Sequence, residues 1–511
     1  MKRIIILLGL VLFLTSSYAQ AKQNLREAFK NNEAIIYTLN IRNFASIDKD
    51  HNGTIEVEKG DKIGTFVGAK EKLSDLAREG INTIYLLPIT PSGKLKALGN
   101  AGSLYAMDEF DKISPELDEL NNNKTVYQEA KEFIEEAHKH NINVIVDLPS
   151  CGSYDLALRK PDWFILNEKK EPIIPADWTD VRLFKVYNQD KSLNKTTLNN
   201  FKSFVDMALE LGFDGIRADV AAIKPPNFWR DIIKYARNKN KNFFFLAEAN
   251  IEWDNPAPNG VSYYSSVPEL LSAGFDSYYA SWSDFKSVKT KEEFENKINK
   301  NSKILKRYKD KSIISAFATH DQQAPILRGR NYWNMVLWLN ATLKSNMYFL
   351  DGFSVGDDFT YDYEGKIASK SYTDDEFYFV HSGMFDIFNY NAPVRIKYPI
   401  LKNQYLKAID FRKINQDLIQ NGKFNFLKHN NDKVFAYSIT NKEKELIVIG
   451  SLDENNLQKT SVKSKYLQKD SLFSLIHTKK HPQLNQDTME VELEPLEIQV
   501  YLISLAGFPI R

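Results

Sequence analysis

Eight short, almost continuously apolar runs punctuate the first 400 residues: "AIIYTLNI" (Ala34 to Ile41), "INTIYLLP" (Ile81 to Pro88), "INVIVDLP" (Ile142 to Pro149), "GFDGIRAD" (Gly212 to Asp219), "NFFFLAEA" (Asn242 to Ala249), "GFDSYYA" (Gly274 to Ala280), "SIISAFATHD" (Ser312 to Asp321) and "SNMYFLDG" (Ser345 to Gly352). A strand covered on both faces needs such a run, whereas a strand with one wet face alternates. Amphipathic stretches lie between them, at 69–80, 126–141 and 198–212, each closed by a Gly or Asn stop. Eight strand and helix alternations predict a (β/α)8 TIM barrel over 22–420 rather than an open sheet. Between the third and fourth runs the spacing stretches to about 60 residues, which predicts an inserted loop subdomain over 149–200. From about Gly422 the texture becomes alternating, as in "KVFAYSIT", "ELIVIGSL" and "MEVELEPLEIQVYLIS". That predicts a C-terminal all-β sandwich domain over 421–511.

The first 21 residues carry Lys2 and Arg3, an apolar run from Ile4 to Leu14, and small residues ending at Ala21. This layout predicts a secretory signal peptide cleaved after Ala21, an uncleaved anchor being the alternative. No later run reaches about 18 apolar residues, so the mature chain is expected to be exported, periplasmic or secreted, without spanning a membrane. Cys151 is the only cysteine, so no internal disulfide can form. The 67 basic and 66 acidic residues leave a net charge of +1. No global field therefore favours nucleic acid or an anionic membrane, and a monomer acting on a neutral or small partner is expected. Aromatic residues reach 13%; they serve either to fill a large core or as flat platforms for sugars or bases.

In a barrel of this kind, functional groups sit at the C-terminal strand ends. By that rule Asp219 ends the fourth strand, Glu248 the fifth and His320-Asp321 the seventh. Period-two alternation puts Arg217 and Asp219 on one face, close enough to pair. Two carboxylates flanking one bond are the equipment of glycoside hydrolysis, one attacking the anomeric carbon and one donating a proton. Taken singly, each acid is equally well read as a strand-end salt bridge or cap.

The chain resembles the α-amylase family, glycoside hydrolase family 13. "GFDGIRADVA" is similar to the second conserved region of that family, "FLAEA" to the third and "THDQQ" to the fourth. The resemblance implies Asp219 as nucleophile, Glu248 as acid/base and Asp321 as the group holding substrate hydroxyls, with Arg217 and His320 in support. Tyr105, in "AGSLYAMDEF", resembles the aromatic that stacks on the sugar, the alternative being a packing role. Several positions depart from the pattern. "DLPSCG" puts Cys151 and Gly152 where Asn and His are expected, Ala222 and Ile223 replace a Lys and a His on the leaving side, and "DVRLFKVYN" lacks the usual acidic motif.

In "DKDHNGTIE", Asp48, Asp50, Asn52, the Thr54 carbonyl and Glu56 recur at every second position, as ligands of one calcium ion do; the alternative is an Asx turn with solvated charges. Cys151 carries no triad signature and reads as a buried, inert thiol, and no organic cofactor is expected. Three functions fit these residues: a retaining α-glycosidase cleaving α-glucans or oligosaccharides, a transglycosylase of the maltosyltransferase type using the same covalent intermediate, and a glucan-binding scaffold without turnover.

Overall fold

The computed structural model describes residues 23–505 apart from 176–177, 253–260, 262, 281, 323, 359, 363–379, 383–385, 393–397, 468–471 and 477–479. The expected signal peptide lies outside them.

Each apolar run contains one strand: β1 (Ile35–Leu39), β2 (Thr83–Leu86), β3 (Asn143–Leu148), β4 (Gly215–Ala218), β5 (Phe244–Ala247), β6 (Ser277–Tyr279), β7 (Ser312–Ile314) and β8 (Met347–Leu350). They form one parallel sheet in the order β8-β1-β2-β3-β4-β5-β6-β7. A bridge between Ile314 and Asn346, just ahead of β8, closes the ring. Alternate side chains explain the unbroken hydrophobicity. Ile84, Val144, Val146, Ile216 and Phe245 join the core beneath the helices, while Ile36, Tyr85, Ile145, Phe244, Leu246 and Tyr348 fill the barrel.

Helices follow the strands, with two departures from the expected boundaries. The stretch 69–80 forms two short helices, Phe66–Lys70 and Leu73–Glu79; the first starts earlier because the Thr65 side chain caps Gly68 N–H at 3.2 Å. After β3, strand Cys151–Ser153 pairs antiparallel with Val181–Leu183 around helix Tyr154–Arg159. This excursion ends where Asn194 caps helix Lys195–Leu211, so residues 195–200 belong to a barrel helix. That helix stops at Gly212, whose φ of +94° is readily adopted only by glycine.

The chain then builds β9 (Lys423–Phe426), β10 (Val434–Thr440), β11 (Lys444–Ser451), β12 (Gln458–Lys463), β13 (Leu472–Ser474), β14 (Gln483–Asn485), β15 (Thr488–Leu493) and β16 (Ile498–Ser504). The sheets β9-β10-β11-β16-β13 and β12-β15-β14 pack over Val434, Ile447, Val462, Met489, Val491 and Ile503. The opposite face of the larger sheet packs on the barrel helices, with Phe435 stacked on Phe294 at 4.2 Å. Among the described residues no helix is long and apolar enough to cross a membrane.

Arg412 ties the barrel base together. It is buried, and its guanidinium donates to the carbonyls of Asn32 (3.0 Å), Ala341 (3.1 Å), Leu343 (3.0 Å) and Ser345. Those acceptors include the otherwise unsatisfied end of helix Arg330–Thr342. Arg412→Met is expected to destabilise the protein by about 3 kcal/mol, because several buried carbonyls lose their donor. The thermal midpoint, read by circular dichroism, should fall by several degrees.

Candidate active site

The strand register places charge on the inner wall near the mouth. Asp147 on β3 and Arg217 on β4 are cross-strand partners, and Asp219 and Glu248 come directly after the ends of β4 and β5. The Arg217 guanidinium is 1% exposed. Its Nη1 donates to Asp147 Oδ1 at 2.9 Å and to Asp219 Oδ1 at 2.9 Å, while Nη2 lies 2.8 Å from Glu248 Oε1. Three tyrosine rings surround it, Tyr279 at 5.7 Å and Tyr85 and Tyr105 at 5.9 Å. The arginine inside an apolar run is therefore the shared cation of three carboxylates from three adjacent strands.

Each carboxylate has further partners. Asp147 accepts the hydroxyls of Tyr85 (2.6 Å) and Tyr105 (2.8 Å); burial pushes its carboxyl up to about 6 against the pull of Arg217. Asp219 Oδ2 accepts the Ser150 N–H at 2.9 Å. Glu248 Oε2 accepts the Val220 N–H at 2.6 Å. Val220 presents that N–H from a left-handed conformation (φ 34°, ψ 53°), which is rare for a β-branched residue. Burial pushes Glu248 up to about 8, Arg217 opposing and the negative charges of Asp219 and Asp321 adding to the rise. At neutral pH Glu248 is mostly the protonated acid.

His320 is buried, its ring stacked on Tyr105 at 5.3 Å and its Nε2 2.8 Å from the Tyr105 hydroxyl. Burial and the neighbouring Arg217 push it down to about 3, so the imidazole is neutral. The Tyr105 hydroxyl donates to Asp147, which leaves its oxygen to accept from His320 Nε2–H. Asp321 is the most open of the acids, its side chain 40% exposed and 3.4 Å from His320 Nε2.

All six expected barrel-mouth residues, Arg217, Asp219, Glu248, His320, Asp321 and Tyr105, thus converge. Sequence reasoning misses Asp147, Ser150 and Lys224. Asp147 is findable, since it is the charged residue ending the third apolar run. Ser150 acts through its backbone, which no side-chain pattern reveals.

At Gly152 and Cys151 the departures have structural counterparts. A Cβ on Gly152 would meet the Phe184 ring at 2.6 Å and the Phe164 ring at 2.8 Å, so a side chain there would require those rings to move. Cys151 packs with Ala106, Val181, Leu183 and Ile223, and burial pushes its thiol up to about 12, the inert state expected. Ala222, with Ala249, Asn250 and Tyr264, lines a cavity of about 310 Å³ beside Glu248.

The loop at 48–56 folds as linked turns. Asp48 accepts the N–H groups of His51 and Gly53 at 2.8 Å, the Asn52 amide donates to Asp50 (3.0 Å) and Glu56 (2.9 Å), and Lys59 lies 2.6 Å from Glu56. Thr54 bridges to Asn391. Among the described residues no group of three or more Asp, Glu, His or Cys is arranged to hold a metal. In this arrangement the Asn52 amide and the Lys59 ammonium engage two of the candidate ligands, Asp50 and Glu56.

The chain matches no protein-family model. It is 27% identical over 208 residues to an alpha-1,4-glucan:maltose-1-phosphate maltosyltransferase of Mycolicibacterium smegmatis, covering 36% of this chain and 28% of that protein. It is 22% identical over 410 residues to a protein of the same name from Picrophilus torridus, covering 78% of this chain and 60% of that one. The chain therefore spans less than two thirds of the length of these relatives. Its fold is similar to a crystal structure of a noncanonic maltogenic alpha-amylase from Thermotoga neapolitana, with a TM-score of 0.65, 19% identity, and coverage of 94% of this chain and 100% of that one. Barrel and mouth residues together define an α-amylase-type barrel protein. These likenesses agree with the resemblance to the α-amylase family, glycoside hydrolase family 13, that the sequence carries.

Two measurements check the site. Infrared difference spectra against Glu248→Gln should show a carboxyl titrating near pH 8. Asp321→Asn removes a negative neighbour that raises this group, so its titration should move to lower pH. Adding calcium to chelator-stripped protein should give no heat in a calorimeter; a saturable heat would mean that the loop reopens around the ion.

Proposed function

We propose that this chain is an exported retaining α-glycosidase acting on α-glucans or their oligosaccharides. The observation that carries this reading is a single buried guanidinium gripping two strand-end carboxyls, those of Asp219 and Glu248; burial raises Glu248 toward the acid form that such a reaction needs. The names of the two maltosyltransferase relatives support the substrate class, and the N-terminal sequence supports export.

In the first step the Asp219 carboxylate attacks the anomeric carbon while the bond to the leaving oxygen breaks and Glu248 passes its proton to that oxygen. In the second, the Glu248 carboxylate takes a proton from water as that water displaces Asp219 from the sugar. Both residues return to their starting forms. Asp321, the exposed acid, accepts sugar hydroxyls, and neutral His320 keeps Tyr105 and Asp147 in register beneath the sugar.

A second reading, transfer to another sugar in place of water, is favoured by the relatives' names. Incubation with maltooligosaccharides separates the two: shorter α-anomers mean hydrolysis, longer chains mean transfer. Glu248→Gln should slow cleavage of a glucosidic bond about 10²–10⁴-fold. With α-maltosyl fluoride, whose leaving group needs no proton, the same variant should give a burst of one fluoride per chain and then stall. Asp219→Asn should release no fluoride; wild-type turnover in that variant would overturn the assignment.

A further inference from the structure

The turn after β4 ends in a lysine that the chemistry above does not use. Lys224 is 2% exposed, and its Nζ donates to the Ser150 carbonyl at 2.8 Å and lies 5.0 Å from the centre of the Phe201 ring. The titratable groups facing it are Cys151, from the strand after β3, and Asp219; Asp180 faces Cys151 in turn. Its own carbonyl accepts the Ser265 hydroxyl at 2.6 Å, which ties the turn to the segment after β5.

Ser150 links this lysine to the site. Its N–H donates to Asp219 Oδ2, and its hydroxyl donates to the Asp219 backbone carbonyl. Arg217 Nη1 meanwhile donates to Asp219 Oδ1. One donor on each carboxylate oxygen fixes the plane of the group, and only one of those donors is a side chain of the charged cluster. The other is a backbone N–H in the β3–β4 excursion, whose position depends on what holds Ser150. Burying an ammonium is unfavourable unless nearby groups compensate it, and a methionine of similar length would fill the same slot without that cost. A lysine kept there acts through its donor and its charge.

We propose that Lys224 is a positioning residue: by gripping the Ser150 carbonyl it holds the Ser150 N–H on Asp219 Oδ2 and so aims the Asp219 carboxylate at the anomeric carbon. This rests on the reading of Asp219 as nucleophile. Lys224 is buried beneath the site, so its loss acts on the reaction step rather than on binding.

The test uses Lys224→Met and Lys224→Arg with fluoride release from α-maltosyl fluoride, together with crystal structures of both variants. Lys224→Met should lower kcat about 10–100-fold, the scale of a misplaced reacting group, and leave KM within about twofold. Lys224→Arg, which restores a donor and the charge, should recover part of that loss. A folded Lys224→Met with wild-type kcat overturns the proposal. If Lys224→Met does not fold, Lys224→Arg decides: wild-type kcat without a contact to Ser150 overturns it, and a lower kcat with a turned Asp219 supports it. If wild type itself releases no fluoride, the proposed function fails, but the crystals still decide the role of Lys224. An Asp219 that keeps both donors without Lys224 overturns it, and a displaced Ser150 with a rotated Asp219 supports it.

Discussion

A guanidinium sealed inside a β-barrel organises this molecule. Arg217 has almost no contact with water and stands among Asp147, Asp219 and Glu248. Each of those acids alone would be an unfavourable buried charge, and so would the arginine; together, with tyrosine hydroxyls and backbone N–H groups as further partners, they form one hydrogen-bonded network that offsets much of that cost. The barrel makes the arrangement possible, because adjacent parallel strands bring inward residues to one height while the outer helices keep water out. Slipping β3 against β4 by one residue would turn Asp147 out of the barrel and leave Arg217 facing a hydrocarbon. The charged cluster thus fixes register as well as chemistry.

The second domain is joined to this barrel by more than a linker. The larger C-terminal sheet has apolar residues on both faces, one toward its partner sheet and one toward the barrel helices. Phe435 and Tyr437 extend the aromatic packing around Phe294, and the Tyr437 hydroxyl meets that of Thr342 at 2.7 Å. A continuous core of this kind couples the sandwich to the helices behind β7 and β8.

Much of the fold is legible because burial on both faces writes itself as an unbroken apolar run, and a charged residue at the end of such a run has few places to go except the barrel mouth. Asp219 and Glu248 yield to that logic. Asp147 obeys the same rule, but the substitutions at 151 and 152, a few positions later on the same run, draw attention away from it. The grip on Asp219 is not legible, since a backbone N–H carries no residue type and the lysine behind it lies 74 positions from the serine it holds. The loop at 48–56 is a different case. Its oxygens recur at the spacing of a cation site, but Asn52 can present its amide nitrogen as easily as its oxygen, and spacing does not record which. Helix boundaries at 66 and 195 differ for a simpler reason: Thr65 and Asn194 cap earlier than the apolar periodicity alone suggests.

The packing at Gly152 limits what can be built at this corner of the mouth. The rings of Phe164 and Phe184 fill the volume that a side chain at 152 would need, so a histidine introduced there alone would push against them before it could reach a sugar. Position 152 and the two phenylalanines are therefore one packing unit: a side chain at 152 calls for smaller or displaced rings at 164 and 184, and smaller rings without it leave a void in the core. Redesign of sugar contacts at this corner has to change the three positions together.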